Sequence, residues 1–393
     1  MAARKRYDCV VIGGGHNGLV AAAYLAKAGK SVCVLERRHV LGGCATTEPL
    51  WPGYKVSTAA YVVSLLLPEI IRELRLNHYG FTILPRSPSS YTPLLDGRSL
   101  LMGPDRQRTL EEIAKFSRRD AEAYPKYETL LERIAAAIEP VLAKTPPDGL
   151  PLSKQWRKIG VAKRVRDTSR LWEMYQALAE LGDDLPEAVE IATGAARPIL
   201  ERWFEAEVLR ATIATDAIIG AFAPPSSPGT AYVLHHVMGT AGGARGIWGY
   251  VQGGMGGLAD ALEAACRDLH VEIRREAEVA RILSSNGRVI GVSLADHTVI
   301  EAETVASSVD AHVTFERLCV PTELPEAFRK AVARIDYGSA AAKINLALAE
   351  PPNFRADPSS GIAPHHHGTM HICPTLDYIE RAYDDAKYGW PST

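Results

Sequence analysis

The chain has 393 residues, 47% hydrophobic and 23% charged, with 44 Lys+Arg against 46 Asp+Glu and a formal net charge of −2. These proportions exclude a disordered chain and a collagen-like or coiled-coil rod, and they lack the basic footprint of a nucleic-acid binder. At about 150 residues per domain the length suggests roughly two to three domains, enough to bury a core without staples. No apolar run reaches the ~18 residues of a membrane-spanning helix; Ala59–Pro68 is too short and Val208–Ala223 carries Arg210 and Asp216. Peripheral contact with a membrane stays open.

In chain order, Tyr7–Ile12 is a β-branched apolar run of the kind that forms a buried parallel strand. Gly13–Gly18 follows, then a helix over Leu19–Ala28 ended by Gly29, then a second buried strand, Ser31–Leu35. Within Tyr91–Met102, Asp96-Gly97 signals a hairpin. Leu110–Ala143 has helical spacing, Lys144–Ser153 is a Pro/Gly-rich break, and helical patterns run again from Gln155 to Ala223, interrupted by Pro186, Pro198 and the loop Pro224–Gly229. The glycine-rich stretch Gly239–Gly257 feeds a helix over Leu258–Leu269. Strands are then expected at Val271–Arg275, Val279–Ser284, Val289–Leu294, Thr298–Ile300, Thr304–Ser308 and Ala340–Leu348, before a Pro/Ser/His-rich loop, Glu350–Gly368. No internal repeat is visible.

Gly13-x-Gly15-x-x-Gly18 lies between a strand and a helix. The first glycine allows the tight turn, the second lets a pyrophosphate approach the backbone, and the third lets helix and strand pack closely. Gly14 belongs to the same turn. The phosphates would rest on the helix's N-terminal amides. Glu36 ends the second strand, close to the ~20-residue offset at which an acid meets the ribose hydroxyls. Arg37 and a second glycine pair, Gly42-Gly43, follow. This extension resembles the FAD-binding start of the amine oxidase and phytoene desaturase superfamily. No second strand-led GxGxxG marks a nicotinamide domain; Gly253-Gly254-Met255-Gly256-Gly257 has the wrong spacing. Flavin disulfide reductases carry Cys-x4-Cys after the second glycine pair, whereas here Pro49 stands five residues after Cys44, where the second cysteine would be.

The stretches GGGHNGLVAAAYLAKAG, LERRHVLGGCATTE, WFEAEVLRATIATDAIIG, PGTAYVLHHVMG, WGYVQGGMGGLADAL and VARIL resemble phytoene-dehydrogenase-like flavoproteins along essentially the whole chain. The resemblance implies an α/β fold: a discontinuous Rossmann-like FAD-binding domain, 6–60 and 245–310, and a substrate domain of helices and a mixed sheet, 61–244 and 311–393. It also implies that the Val279 backbone brackets the adenine. The implied reaction is oxidation or isomerisation of a small apolar substrate with hydride transfer to FAD, oxygen or a quinone being the electron acceptor. After Gly257 the glycines are scattered, so the family's last glycine-rich closing segment is not found and the chain reads as a fragment or shortened form. A non-catalytic FAD- or lipid-binding escort protein on the same scaffold is the alternative.

The six cysteines, Cys9, Cys33, Cys44, Cys266, Cys319 and Cys373, have no CxxC spacing and read as reduced, buried thiols. Only MAARKRY precedes the first strand, which leaves no leader peptide and suits a bacterial cytoplasm, the mitochondrial matrix being the alternative. His365-His366-His367 and His371 read as loop histidines rather than metal ligands, and His235-His236 as helix residues that could face a flavin. Trp248 and Tyr250 could frame a substrate channel, and the basic stretch Lys154–Arg170 reads as a solvated helix face. No catalytic base is assigned, because a flavin site needs mainly to orient its substrate. Nothing in the sequence sets the oligomeric state.

Overall fold

The computed structural model describes residues 6–142, 144–147, 160–236, 246, 248–338 and 341–392. The Tyr7–Ile12 run forms the strand β1 (Arg6–Ile12), the turn leads into α1 (His16–Lys27), and β2 (Val32–Leu35) completes the βαβ unit. Gly29, at φ +81°, ends the helix in a conformation that costs glycine little. Two hairpin strands, β3 (Thr47–Trp51) and β4 (Tyr54–Ser57), and a short helix, α2 (Pro68–Glu73), follow. The upper layer begins with β5 (Ile83–Pro85), β6 (Ser90–Pro93) and β7 (Ser99–Met102). Its helices are α3 (Arg106–Ala114), α4 (Arg118–Leu142), α5 (Val161–Ala179), α6 (Leu185–Thr193), α7 (Ala196–Trp203), α8 (Glu207–Ala217) and α9 (Thr230–His236). The chain then returns through β8 (Gly249–Val251) and α10 (Gly256–Asp268) to β9 (Glu272–Arg274), β10 (Val279–Ser285), β11 (Arg288–Leu294) and β12 (Val299–Ser307). Last come α11 (Glu326–Ala333), β13 (Thr369–Met370) and α12 (Leu376–Lys387).

The main sheet has the order β10-β11-β12-β1-β2-β9. β12, β1, β2 and β9 run parallel, while β11 pairs antiparallel with both β10 and β12. Its strands come from two distant segments, β1 and β2 from residues 6–35 and β9 to β12 from residues 272–307, so the sheet is discontinuous in sequence. Side chains of β1 alternate as the pleat requires. Cys9 and Val11 pack with α1 and α10 through Leu19, Ala22, Ala261 and Leu262. Val10 and Ile12 pack on the opposite face with Val279, Ile282 and Ile300. A third core, from Leu100 to Leu234 with Cys373, Leu376 and Ile379, holds the helical layer together. Val63, Leu74, Leu76 and Phe81 belong to the core of α1 and α10, so this packing runs past residue 60.

Several local expectations change. The two short strands at Thr298–Ile300 and Thr304–Ser308 are one strand, β12, because parallel pairing with β1 continues from Glu301 through Ser307. Pro186 and Pro198 lie in the first turns of α6 and α7, where the missing N–H costs no helical bond. Ala340 lies outside the described residues, and 341–348 form no strand: no described strand runs alongside them, and Ile344 is 79% and Leu346 73% exposed despite their alternating apolar pattern. Lys343 pins this segment by donating to the carbonyls of Ser57 and Ala59. All six cysteines are free, but only Cys9, Cys33, Cys266 and Cys373 are buried; Cys44 is exposed. No helix among the described residues is long and apolar enough to cross a membrane.

Candidate functional site

The fingerprint occupies the C-terminal edge of the parallel strands. Gly13 stands at φ +96° and Gly15 caps α1 without any side-chain hydrogen bond. The first-turn amides of α1 are therefore left for an external acceptor. A Cβ placed on each glycine separates their roles. At Gly18 it would come within 2.2 Å of the Gly13 carbonyl oxygen, so this position serves helix–strand packing. At Gly14 it would meet Leu41 at 2.5 Å. At Gly15 the nearest atom is the Gly43 Cα at 3.8 Å, so protein atoms leave room there.

Glu36, 8% exposed, closes the turn from beside it. One carboxylate oxygen accepts from the Gly14 amide at 2.8 Å, the other from the Arg38 amide at 2.9 Å. Each oxygen keeps a lone pair for a further donor such as a ribose hydroxyl. Arg37 is exposed beside it, whereas Arg38 grips Glu48 at 2.7 Å. Gly42, at φ +112°, donates its amide to the Gly14 carbonyl at 2.8 Å, and Gly43, at φ +58°, stands over Gly15. The second glycine pair is thus built onto the first. Val279 is buried at the start of β10; the chain reaches it after Ala277 donates to the Glu36 carbonyl at 2.9 Å. Two further residues were not singled out from sequence. Ser308 donates to the carbonyls of Ile12 and Gly13 at 3.2 and 3.0 Å. His16, the first residue of α1, is half-buried, and burial lowers its imidazole below the usual value. Room at Gly15, uncapped amides, a buried acid and a second glycine wall fit an adenine dinucleotide.

A separate chamber has a volume of about 610 Å³. Tyr61, Tyr124, Tyr127, Leu131, Ile213 and Trp248 line it together with Arg86, Glu128, Asp216 and His371. Trp248 is one wall of this chamber, with the Arg86 guanidinium 5.8 Å from its ring. Tyr250 instead donates to the His367 carbonyl at 3.3 Å. Burial pushes Asp216 up to about 7 and His371 down to about 4. Asp216 was visible in sequence only as an acid inside an apolar run. His365 stacks on Tyr91 at 4.8 Å, and His366 accepts from the Ala363 amide at 2.9 Å, so both help fold their loop. The backbones of His235 and His236 end α9, but their side chains, like residues 154–159, lie outside the described residues.

Fold and site together define an FAD flavoprotein. A family model described as flavin containing amine oxidoreductase matches residues 18–387, and the chain belongs to that family. Its cofactor is FAD. The chain is 42% identical over 402 residues to "pyridine nucleotide-disulfide oxidoreductase domain-containing protein 2" of Rattus norvegicus, covering 99% of this chain and 68% of the rat protein. It is 28% identical over 309 residues to hydroxyneurosporene desaturase of Cereibacter sphaeroides, 77% of this chain and 56% of that one. A putrescine oxidase variant with redesigned cofactor binding shares the fold, with a TM-score of 0.52 at 17% identity over 84% of this chain and 63% of the other. The chain thus spans about two thirds, or less, of the length of these relatives. The likeness to phytoene-dehydrogenase-like flavoproteins holds.

Proposed function

We propose that this protein is an FAD-dependent oxidoreductase that oxidises or isomerises a largely apolar substrate held in the chamber. FAD, when bound, would supply hydride acceptance, with oxygen or a quinone as the final electron acceptor. The protein's part is positioning. Gly13, Gly14, Gly15 and Gly18 build the turn that, with the amides of α1, would hold the pyrophosphate; Glu36 would hold the adenosine ribose, Arg37, Gly42 and Gly43 would complete that wall, and the Val279 backbone would flank the adenine. Residues 6–60 and 245–310 form the cofactor domain in this reading, and 61–244 and 311–393 the substrate domain. Tyr61, Tyr124, Tyr127 and Trp248 supply broad apolar faces against which a substrate is oriented and kept from water.

One observation carries the reading: the glycine turn leaves space at Gly15, where protein packing does not require glycine, directly beside the buried Glu36 carboxylate. The experiment is the absorption spectrum of the purified protein, followed by anaerobic titration with a polyene. Bound FAD bleached by the polyene is the expected result; a colourless protein that takes up no added FAD overturns the reading. Peripheral contact with a membrane belongs to the same proposal. α5 exposes Val161, Val165, Trp172 and Tyr175 along one side, with Arg164 beside them, and such a stripe suits acidic lipid.

A further inference from the structure

We propose that Asp216 and Arg86 form a polar pole in the chamber that receives the carboxylate end of an otherwise apolar substrate. This rests on the reading of the chamber as the substrate site. Both residues line the chamber. No hydrogen bond to the Asp216 carboxyl is present among the described residues. An acid on a cavity wall without a protein partner calls for one from outside, because leaving such a group unpaired costs about 1–3 kcal/mol.

The donor set selects the partner. Arg86 is anchored through Nη1 to the Thr369 hydroxyl at 2.6 Å, and a guanidinium there opposes an amine. It makes no ion pair with Asp216 within 4 Å although both line the same space. A carboxylate can bridge them, one oxygen accepting from Arg86 and the other from the protonated Asp216. An ionised Asp216 would repel that carboxylate, so binding near neutrality takes one proton from solvent onto Asp216.

The other groups facing Asp216 are compatible. On α4, Tyr124 is kept protonated by burial, and burial also raises the Glu128 carboxyl. Glu132, together with Arg106 of α3, lies on the exposed side of the chamber. His371 is held neutral by burial, with Arg86 adding to the effect.

The test is calorimetric titration of the purified full chain with decanoate, decylamine and decanol at pH 6 and pH 8.5, in buffers of different ionisation enthalpy. Decanoate should bind more tightly than decylamine, weaken at least about tenfold between the two pH values, and take up one proton near pH 7.5. Asp216→Asn should bind decanoate with no pH dependence, and Arg86→Gln should lose decanoate but keep decanol. Preference for decylamine, or pH-independent binding of decanoate to the unaltered protein, overturns the pole; neither result needs a variant that folds. Decanol binding without decanoate binding removes the acidic end and leaves the oxidoreductase reading standing. If nothing binds, both the pole and the chamber's substrate role fall, while the flavin spectrum still tests the cofactor site.

Discussion

At the residue scale, the cofactor turn separates positions that serve the fold from those that serve the ligand. Gly15→Ala adds a methyl with no contact under 3.8 Å, so the protein should fold normally yet purify with less flavin, because the methyl fills the pyrophosphate's approach. Gly18→Ala puts its methyl against the Gly13 carbonyl and should lower the melting temperature whether or not flavin is present. Flavin-to-protein absorbance ratios and thermal melts of the two variants check the split; equal melting temperatures would erase it. Glu36→Ala removes a charge-assisted acceptor and also frees the Gly14 and Arg38 amides. A weakening of FAD binding by roughly 1.5–3 kcal/mol is expected in a titration of apo-protein. The three glycines and Glu36 were legible in sequence because each answers a local backbone demand at fixed spacing. Ser308 and Asp216 were not, since only strand pairing brings Ser308 to Gly13 and only helix packing turns Asp216 toward Arg86.

At the scale of elements, the GGMGG turn is held from outside. The Met255 amide donates to the Ser57 hydroxyl at 3.0 Å and the Gly256 amide to the Thr47 hydroxyl at 2.9 Å, so the β3–β4 hairpin caps α10. Thr47→Val keeps the shape, deletes the acceptor and should cost about 1 kcal/mol, read by denaturant unfolding. α5 gives a second prediction. Trp172 is 58% exposed and stacks on Tyr175 at 5.5 Å. Replacing Trp172 with Ser should reduce sedimentation with acidic phospholipid vesicles and leave the flavin spectrum unchanged; undiminished sedimentation would show that α5 is not the contact. Strands and helices with a strict period were readable from the sequence, as were the Asp96-Gly97 hairpin and the Asn286-Gly287 turn, whose φ values of +50° and +71° at the second pair need residues of that type. The failure at 341–348 has a physical reason: alternation describes a face, but a strand also needs a neighbour, and sequence pattern does not supply one.

At the scale of the whole molecule, Asp216 and His371 couple the chamber to stability with opposite signs. Asp216 rises from 3.8 to about 7 on folding, so the folded protein holds a proton there that the unfolded chain has lost. The stability this proton brings is complete below pH 3.8 and drains away as pH rises to about 7, at no more than about 1.4 kcal/mol per pH unit. His371 falls from 6.5 to about 4, so the unfolded chain binds a proton that the folded one refuses. Its contribution is complete above pH 6.5 and is lost as pH drops to about 4. Between those limits the two effects oppose each other and the unaltered protein should show a shallow profile; single variants should unmask each slope. Asp216→Asn keeps the volume and abolishes the charge, so it should melt several degrees higher than the parent at pH 8 and nearly with it at pH 4. His371→Gln should do the reverse, gaining at pH 4.5 and little at pH 8. Melts of parent, both single variants and the double variant at pH 4.5, 6 and 8 check the signs together. An Asp216→Asn shift of equal size at all three values would mean that the carboxyl ionises in the chamber as it does in water, and that the chamber is wet enough to solvate a charge.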